Sequence, residues 1–286
     1  MELTMRAALL AACTVLALAA CQRREEAPPP TAPEAQPKAE VTPADQAAPL
    51  TYARDTEYAE VSLTLPQGIA RYRDLHASLY GDAVANLREF LDGAQADRTE
   101  YGGDQGLPPY NRTVAWRVAA ETGKLFSLAA QTSEYTGGAH GMTTFTALLW
   151  DKALDRRIAA ASLFRRGADM AVLDRALCDA INAARAARTG EPSNLTLGGG
   201  DDQMWSCPRA METTFALAPS ATAGKAGGLE FLINPYDVGP YAEGTYQIVV
   251  PQSAFRTLLA PAYADEFAGA PARVGDVTPR EPVTPS

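Results

Sequence analysis

The chain has 286 residues, 47% of them hydrophobic, so it has ample length to bury a core as one large domain or two small ones. Its formal charge of −9 argues against a nucleic-acid partner, because a phosphate backbone needs a basic face. With only two histidines, His76 and His140, the chain also lacks the ligand set of a histidine-based zinc hydrolase, and no metal or cofactor site is expected.

Residues 1–20 carry Arg6 and then an apolar run from Ala7 to Ala20, the charged start and short hydrophobic centre of a secretory signal rather than a membrane span. Leu18-Ala19-Ala20-Cys21 resembles a bacterial lipobox, which makes Cys21 the expected site of lipid attachment and the mature N-terminus. Gln22 in place of Asp after that cysteine fits sorting to the periplasmic face of the outer membrane, if the cell has two membranes. From Gln22 to Leu50 the chain is rich in Pro, Ala, Glu and Gln with few large apolar residues, so it reads as a disordered tether. As polyproline II, at about 3.1 Å per residue, it would reach up to roughly 90 Å from the lipid.

Val61, Leu63 and Leu65 alternate with polar residues as in a half-buried strand, and Pro66 ends the run. Tyr72, Leu75 and Leu79, then Val84, Leu87 and Leu91, recur at helical spacing on either side of Gly81, predicting one interrupted helix or two short ones, with His76 beside the apolar stripe. Asp92 to Tyr110 reads as a polar surface loop. Strands are expected around Val114, Trp116 and Val118, over Leu125–Ser133 after a turn at Glu121–Lys124, and over Thr143–Trp150. Three strands joined by short connections predict an antiparallel meander.

Met170, Leu173, Leu177, Ile181 and Ala184 form the clearest helical stripe, with Arg185 and Arg188 suited to its C-terminal end and Gly190 a natural stop. Once Cys13 leaves with the signal and Cys21 is acylated, Cys178 and Cys207 remain, and two thiols in an exported domain predict one disulfide. Gly198-Gly199-Gly200-Asp201-Asp202 between them lacks the alternating oxygen ligands of a calcium loop and reads as linker. Three short strands follow at Phe215–Leu217, Leu229–Ile233 and Tyr246–Val250, and a short helix at Ser253–Leu259. From Gly269 the Pro-rich end reads as disordered. The expected divisions are therefore a signal peptide (1–20), the acylated cysteine with its tether (21–50), an N-terminal part (51–112), a C-terminal part (113–268) and a tail (269–286).

Two loops stand out. Gly137, Gly138 and Gly141 in Tyr135-Thr136-Gly137-Gly138-Ala139-His140-Gly141 ask for positive φ or close backbone approach and shape a tight corner. His140 there either bonds nearby backbone or meets a partner. The second loop, Asn234-Pro235-Tyr236-Asp237-Val238-Gly239-Pro240-Tyr241-Ala242-Glu243-Gly244, is stiffened by Pro240, Gly239 and Gly244. Its Tyr236 and Tyr241 are either interface anchors or core residues packed between sheet and helix. With Ser162-Leu163-Phe164, the two loops in this order resemble an exported domain-of-unknown-function family, found in the lysozyme-binding extracellular part of an anti-sigma factor and beside peptidoglycan deacetylase domains. The resemblance spans about residues 58–259, its early portion looser and similar to a smaller companion domain. It implies an α+β fold, an antiparallel sheet with packed helices in a small N-terminal and a larger C-terminal lobe. It also implies an association with cell-wall chemistry or muramidase binding, and it carries over no catalytic residue.

No nucleophile-elbow pattern occurs, and the paired cysteines read as structural, so a serine or cysteine hydrolase is disfavoured. The expectation is a lipid-anchored, non-enzymatic envelope protein that binds lysozyme or another cationic wall-acting protein. The alternatives are a peptidoglycan or small-ligand module and a carboxylate-based wall hydrolase, whose spatial acid pairs sequence does not show.

Overall fold

The computed structural model describes residues 47–100, 108–200 and 204–279. The signal peptide, Cys21 and most of the tether lie outside the described residues. Among the described residues two sheets carry the fold: six strands in the order β1-β2-β3-β4-β5-β6 and four in the order β10-β9-β8-β7.

β1 (Thr51–Asp55) and β2 (Ala59–Thr64) form an antiparallel hairpin. β2 shows the alternation that the sequence predicts, burying Ala59, Val61 and Leu63. Helix α1 (Arg73–Glu100) then carries the chain across to β3 (Tyr110–Glu121), which lies parallel to β2, as a helical crossover permits. The helix corrects two expectations. It runs unbroken through Gly81, and the loop expected from Asp92 is helical as far as Glu100. One buried stripe, Leu75, Leu79, Val84, Leu87, Leu91 and Ala94, continues across both positions, and its packing outweighs the roughly 1 kcal/mol that a helical glycine costs. His76 is 2% exposed on this same face rather than at its boundary, with Nε2 donating to Pro49 O over 3.1 Å.

β3, β4 (Leu125–Tyr135) and β5 (Met142–Asp151) form the expected three-stranded antiparallel meander, and a short fourth strand, β6 (Arg156–Ile158), which the sequence did not suggest, extends it. The expected division at residues 112/113 falls inside β3, so the first sheet draws on both sides of it. One face, with Leu63, Phe126, Leu128 and Trp150, packs under α1. The other, through Leu125 and Leu149, joins a core made with α2 (Ala171–Thr189) and the second sheet. Helix α2 follows prediction: it buries Leu173, Leu177, Cys178, Ile181 and Ala184 and ends at Gly190, whose φ of 77° closes the cap.

The second sheet comprises β7 (Phe215–Pro219), β8 (Ala226–Ile233), β9 (Tyr246–Pro251) and β10 (Gly275–Asp276), all antiparallel. The expected helix at 253–259 is instead two 3₁₀ turns, Gln252–Ala254 and Arg256–Leu258, followed by the short helix α3 (Pro261–Ala264). Over residues 269–279 the expected disorder is not observed. Asp276 pairs with Ile248 across β9, and Arg188 of α2 holds its carboxylate at 2.9 Å. Leu217 N donates to Ser127 Oγ at 3.0 Å and ties the two sheets together, while Glu266, beyond α3, accepts from Thr122 Oγ1 at 2.5 Å and Lys124 N at 2.7 Å in the β3–β4 turn.

Candidate functional site

The glycine corner is the β4–β5 connection, and the tyrosine loop is the β8–β9 connection. Gly137 and Gly138 have φ of 94° and 91°, the left-handed region that favours glycine. Gly141 is needed for a different reason, since a Cβ there would lie 2.8 Å from Glu134 O.

The tyrosine loop is clamped at its base. Glu243, in a 3₁₀ turn over Tyr241–Glu243 that Pro240 precedes and Gly244 (φ 72°) ends, accepts from Arg185 Nε at 2.9 Å and Nη2 at 2.8 Å, and from Tyr246 Oη at 2.6 Å. Arg188 lies over the Tyr246 ring at 3.6 Å and donates to Glu243 O and Thr245 O. The Arg185 guanidinium holds the Glu243 carboxyl below the usual carboxylate range, and burial pushes the Tyr246 phenol up. Gly239 passes so close to Glu243 that a Cβ would meet its carboxyl at 2.6 Å. At the loop's start Asp237 Oδ2 accepts from Asn234 N and Nδ2, while Asn234 Oδ1 accepts from Phe145 N of β5 at 3.0 Å.

This framework brings the two loops together. The His140 and Tyr241 rings stack, with centroids 3.8 Å apart and planes at 17°. Tyr241 Oη donates to Gly141 O at 2.8 Å, so Tyr241 is half-buried and tied to the glycine corner. Gly141 O also lies 3.0 Å from His140 Nδ1 and can only accept, so that nitrogen donates, while Nε2 lies 3.4 Å from Tyr236 Oη. Tyr236 is 43% exposed and holds a positive φ of 72°, a strained backbone for a residue with a Cβ. Of the two alternatives open for the tyrosines, packing inward does not hold for Tyr236, whereas Tyr241 is half-buried. Pro240 is exposed beside them.

One member of the group was missed in the sequence. Trp205 stacks near Tyr236, with ring centroids 6.5 Å apart, and its neighbour Met204 is 85% exposed. The Cys178–Cys207 disulfide, with S–S 2.00 Å, ties this segment to α2, and Leu197 bridges to Cys207. A tryptophan two residues from a bridged cysteine was the available signal, but it follows directly on the Gly198–Asp202 run that reads as linker, and residues 201–203 lie outside the described ones.

Clefts elsewhere among the described residues include the following two. One of about 400 Å³ between α1 and the first sheet is lined by Trp116, Asn86, Thr132 and Arg157 among others. A second, of about 590 Å³, lies between the β1–β2 hairpin and α1, with Arg54, Glu57, Arg88 and Asp92 in its wall. The buried acids are elsewhere and joined to neighbouring elements: Asp151 to Tyr263, Asp174 to Ala210 N, Glu230 to Arg117, and Glu266 to Thr122. Among the described residues no group of three or more His, Cys, Asp or Glu is placed to hold a metal.

Comparison with known proteins gives two family matches in tandem. Residues 52–143 match the model described as Deacetylase PdaC, and residues 162–253 match that of a protein of unknown function, DUF3298. The glycine corner falls in the first match and the tyrosine loop in the second. Similar solved structures include a DUF3298 family protein from Pseudomonas aeruginosa PAO1, 16% identical, covering 79% of this chain and 99% of that one with a TM-score of 0.47. A DUF3298 family member from Bacteroides fragilis NCTC 9343 is 17% identical, covering 73% and 87% with a TM-score of 0.43. No curated protein matches the chain in sequence. The chain thus carries a PdaC-like domain followed by a DUF3298 family domain.

Proposed function

We propose that this chain is a cell-wall-related binding module that uses the aromatic group of His140, Tyr236, Tyr241 and Trp205 to hold a cationic wall-acting protein of the lysozyme kind. The observation that carries the reading is the convergence of the two distinctive loops on the His140–Tyr241 stack, with Tyr236 presented outward beside it. Rigid aromatic side chains offer large contact area with little ordering entropy, which is what interface anchors require. The charge of −9 would speed encounter with a cationic partner. The role proposed is binding rather than catalysis.

Among the described residues no helix is long and apolar enough to cross a membrane. In this reading Cys21 carries the lipid, and the tether that precedes Pro49, whose carbonyl is already bonded to His76, holds the domain away from the membrane, at the periplasmic face of the outer membrane. Replacing Cys21 by Ser should release the protein from the membrane fraction.

The experiment is surface binding of the protein to several lysozyme types and to purified peptidoglycan at two salt concentrations. Saturable lysozyme binding that weakens with salt supports the reading. Retention on peptidoglycan with no lysozyme binding at micromolar concentration would replace the protein partner with the wall polymer, whose sugar rings also pack on aromatic faces.

A further inference from the structure

A sheet edge with unpaired N–H and C=O groups is a template for another strand, so proteins shorten, cap or cover their edges. Here β6 and β10 have three and two residues. β7 ends on Pro219, and its Leu217 N–H is taken by Ser127 of the first sheet. Along β5, beyond its pairing with β6, Phe145 N–H is capped by Asn234. β1 is the exception, an outer strand of five residues whose pattern is exposed throughout except at half-buried Tyr52.

Its ladder shows which groups are free. Leu65 N donates to Leu50 O at 2.7 Å and Thr56 N to Ala59 O at 2.9 Å. With Tyr52 opposite Leu63 and Arg54 opposite Val61, the backbone groups of Tyr52 and Arg54 face β2. Those of Thr51, Ala53 and Asp55 therefore point away from the sheet, and among the described residues no loop or cap bond takes them.

We propose that this edge pairs with the same edge of a second copy, antiparallel about a two-fold axis through Ala53, joining two six-stranded sheets. The strand's own sequence selects that occupant. In this register Thr51 stands opposite the partner subunit's Asp55, a hydroxyl facing a carboxylate, and Tyr52 stands opposite the partner subunit's Arg54, a ring facing a guanidinium. Two-fold symmetry makes each pair twice. Slipping the register one way sets Arg54 against Arg54. Slipping it the other way brings in Pro49, which has no N–H to donate. None of the residues of the aromatic group takes part.

Ala53→Pro provides the cleanest test, because it deletes an N–H that the ladder within the chain does not use. Sedimentation velocity of the full chain in mild detergent should show a concentration-dependent dimer, with Ala53→Pro remaining monomeric at an unchanged melting temperature. Thr51→Lys, which sets an ammonium opposite the partner subunit's Asp55, should tighten association by about fivefold, and Thr51→Lys with Asp55→Lys should abolish that gain. A wild-type chain that stays monomeric up to about 1 mM, or a dimer that persists in Ala53→Pro or ignores the lysine substitutions, overturns the proposal.

Discussion

His140 lies flat on Tyr241, with ring centroids 3.8 Å apart, and Tyr241 reaches past it to donate a hydrogen bond to Gly141 O. Each loop is thereby positioned by the other, and losing either ring removes a contact that the other needs. A double-mutant cycle of His140→Ala and Tyr241→Ala, followed by denaturant unfolding, should show a coupling energy of about 0.5–1.5 kcal/mol. Additive effects would mean that the loops hold their shapes independently.

Tyr236 should separate binding from stability. Because it is 43% exposed, Tyr236→Ala should change unfolding free energy by no more than about 0.5 kcal/mol. If the aromatic group is the contact surface, the same variant and Trp205→Ala should speed partner dissociation by tenfold or more, with association little changed, in surface binding.

Gly141→Ala should destabilise the domain by about 1–3 kcal/mol, because the added methyl would lie 2.8 Å from the backbone oxygen of Glu134. Ala139, exposed two residues earlier, is the control: Ala139→Ser should leave the melting temperature unchanged.

Reduction of Cys178–Cys207 should cost about 3–4 kcal/mol, from the chain entropy restored to the unfolded state. It should also loosen Trp205 from Tyr236, read as a shift in tryptophan emission before global unfolding. Thiol labelling of the denatured, unreduced protein should find neither cysteine reactive.

Acid should weaken the clamp under the tyrosine loop. Arg185 lowers the Glu243 pKa in the folded state, so this carboxylate stabilises the fold above its unfolded value of about 4.3 and that contribution is lost as pH falls through the folded value. Asp276 behaves alike: burial raises its pKa, but bonds from Arg188 and Thr278 overcome this and leave it lowered. Glu243→Gln should reduce stability at neutral pH and flatten the decline below about pH 4, measured by urea unfolding across the acid range.

Local chemistry determined much of this chain. The β2 alternation, the α2 stripe with its Gly190 cap, the meander and the Cys178–Cys207 pair were legible because a strand's period of two, a helix's stripe and a count of remaining thiols are written in consecutive residues. Both loops of the candidate site were legible too, through glycines whose conformations few other residues reach. What only the tertiary structure decided depends on groups distant in sequence. Helix α1 crosses Gly81 because the sheet beneath it rewards an unbroken apolar stripe. β1 and β10 exist because a neighbouring strand offers backbone bonds, which leave no side-chain pattern. Trp205 joins Tyr236, and His140 joins Tyr241, because a disulfide and the Arg185–Glu243 clamp fix where separate loops end.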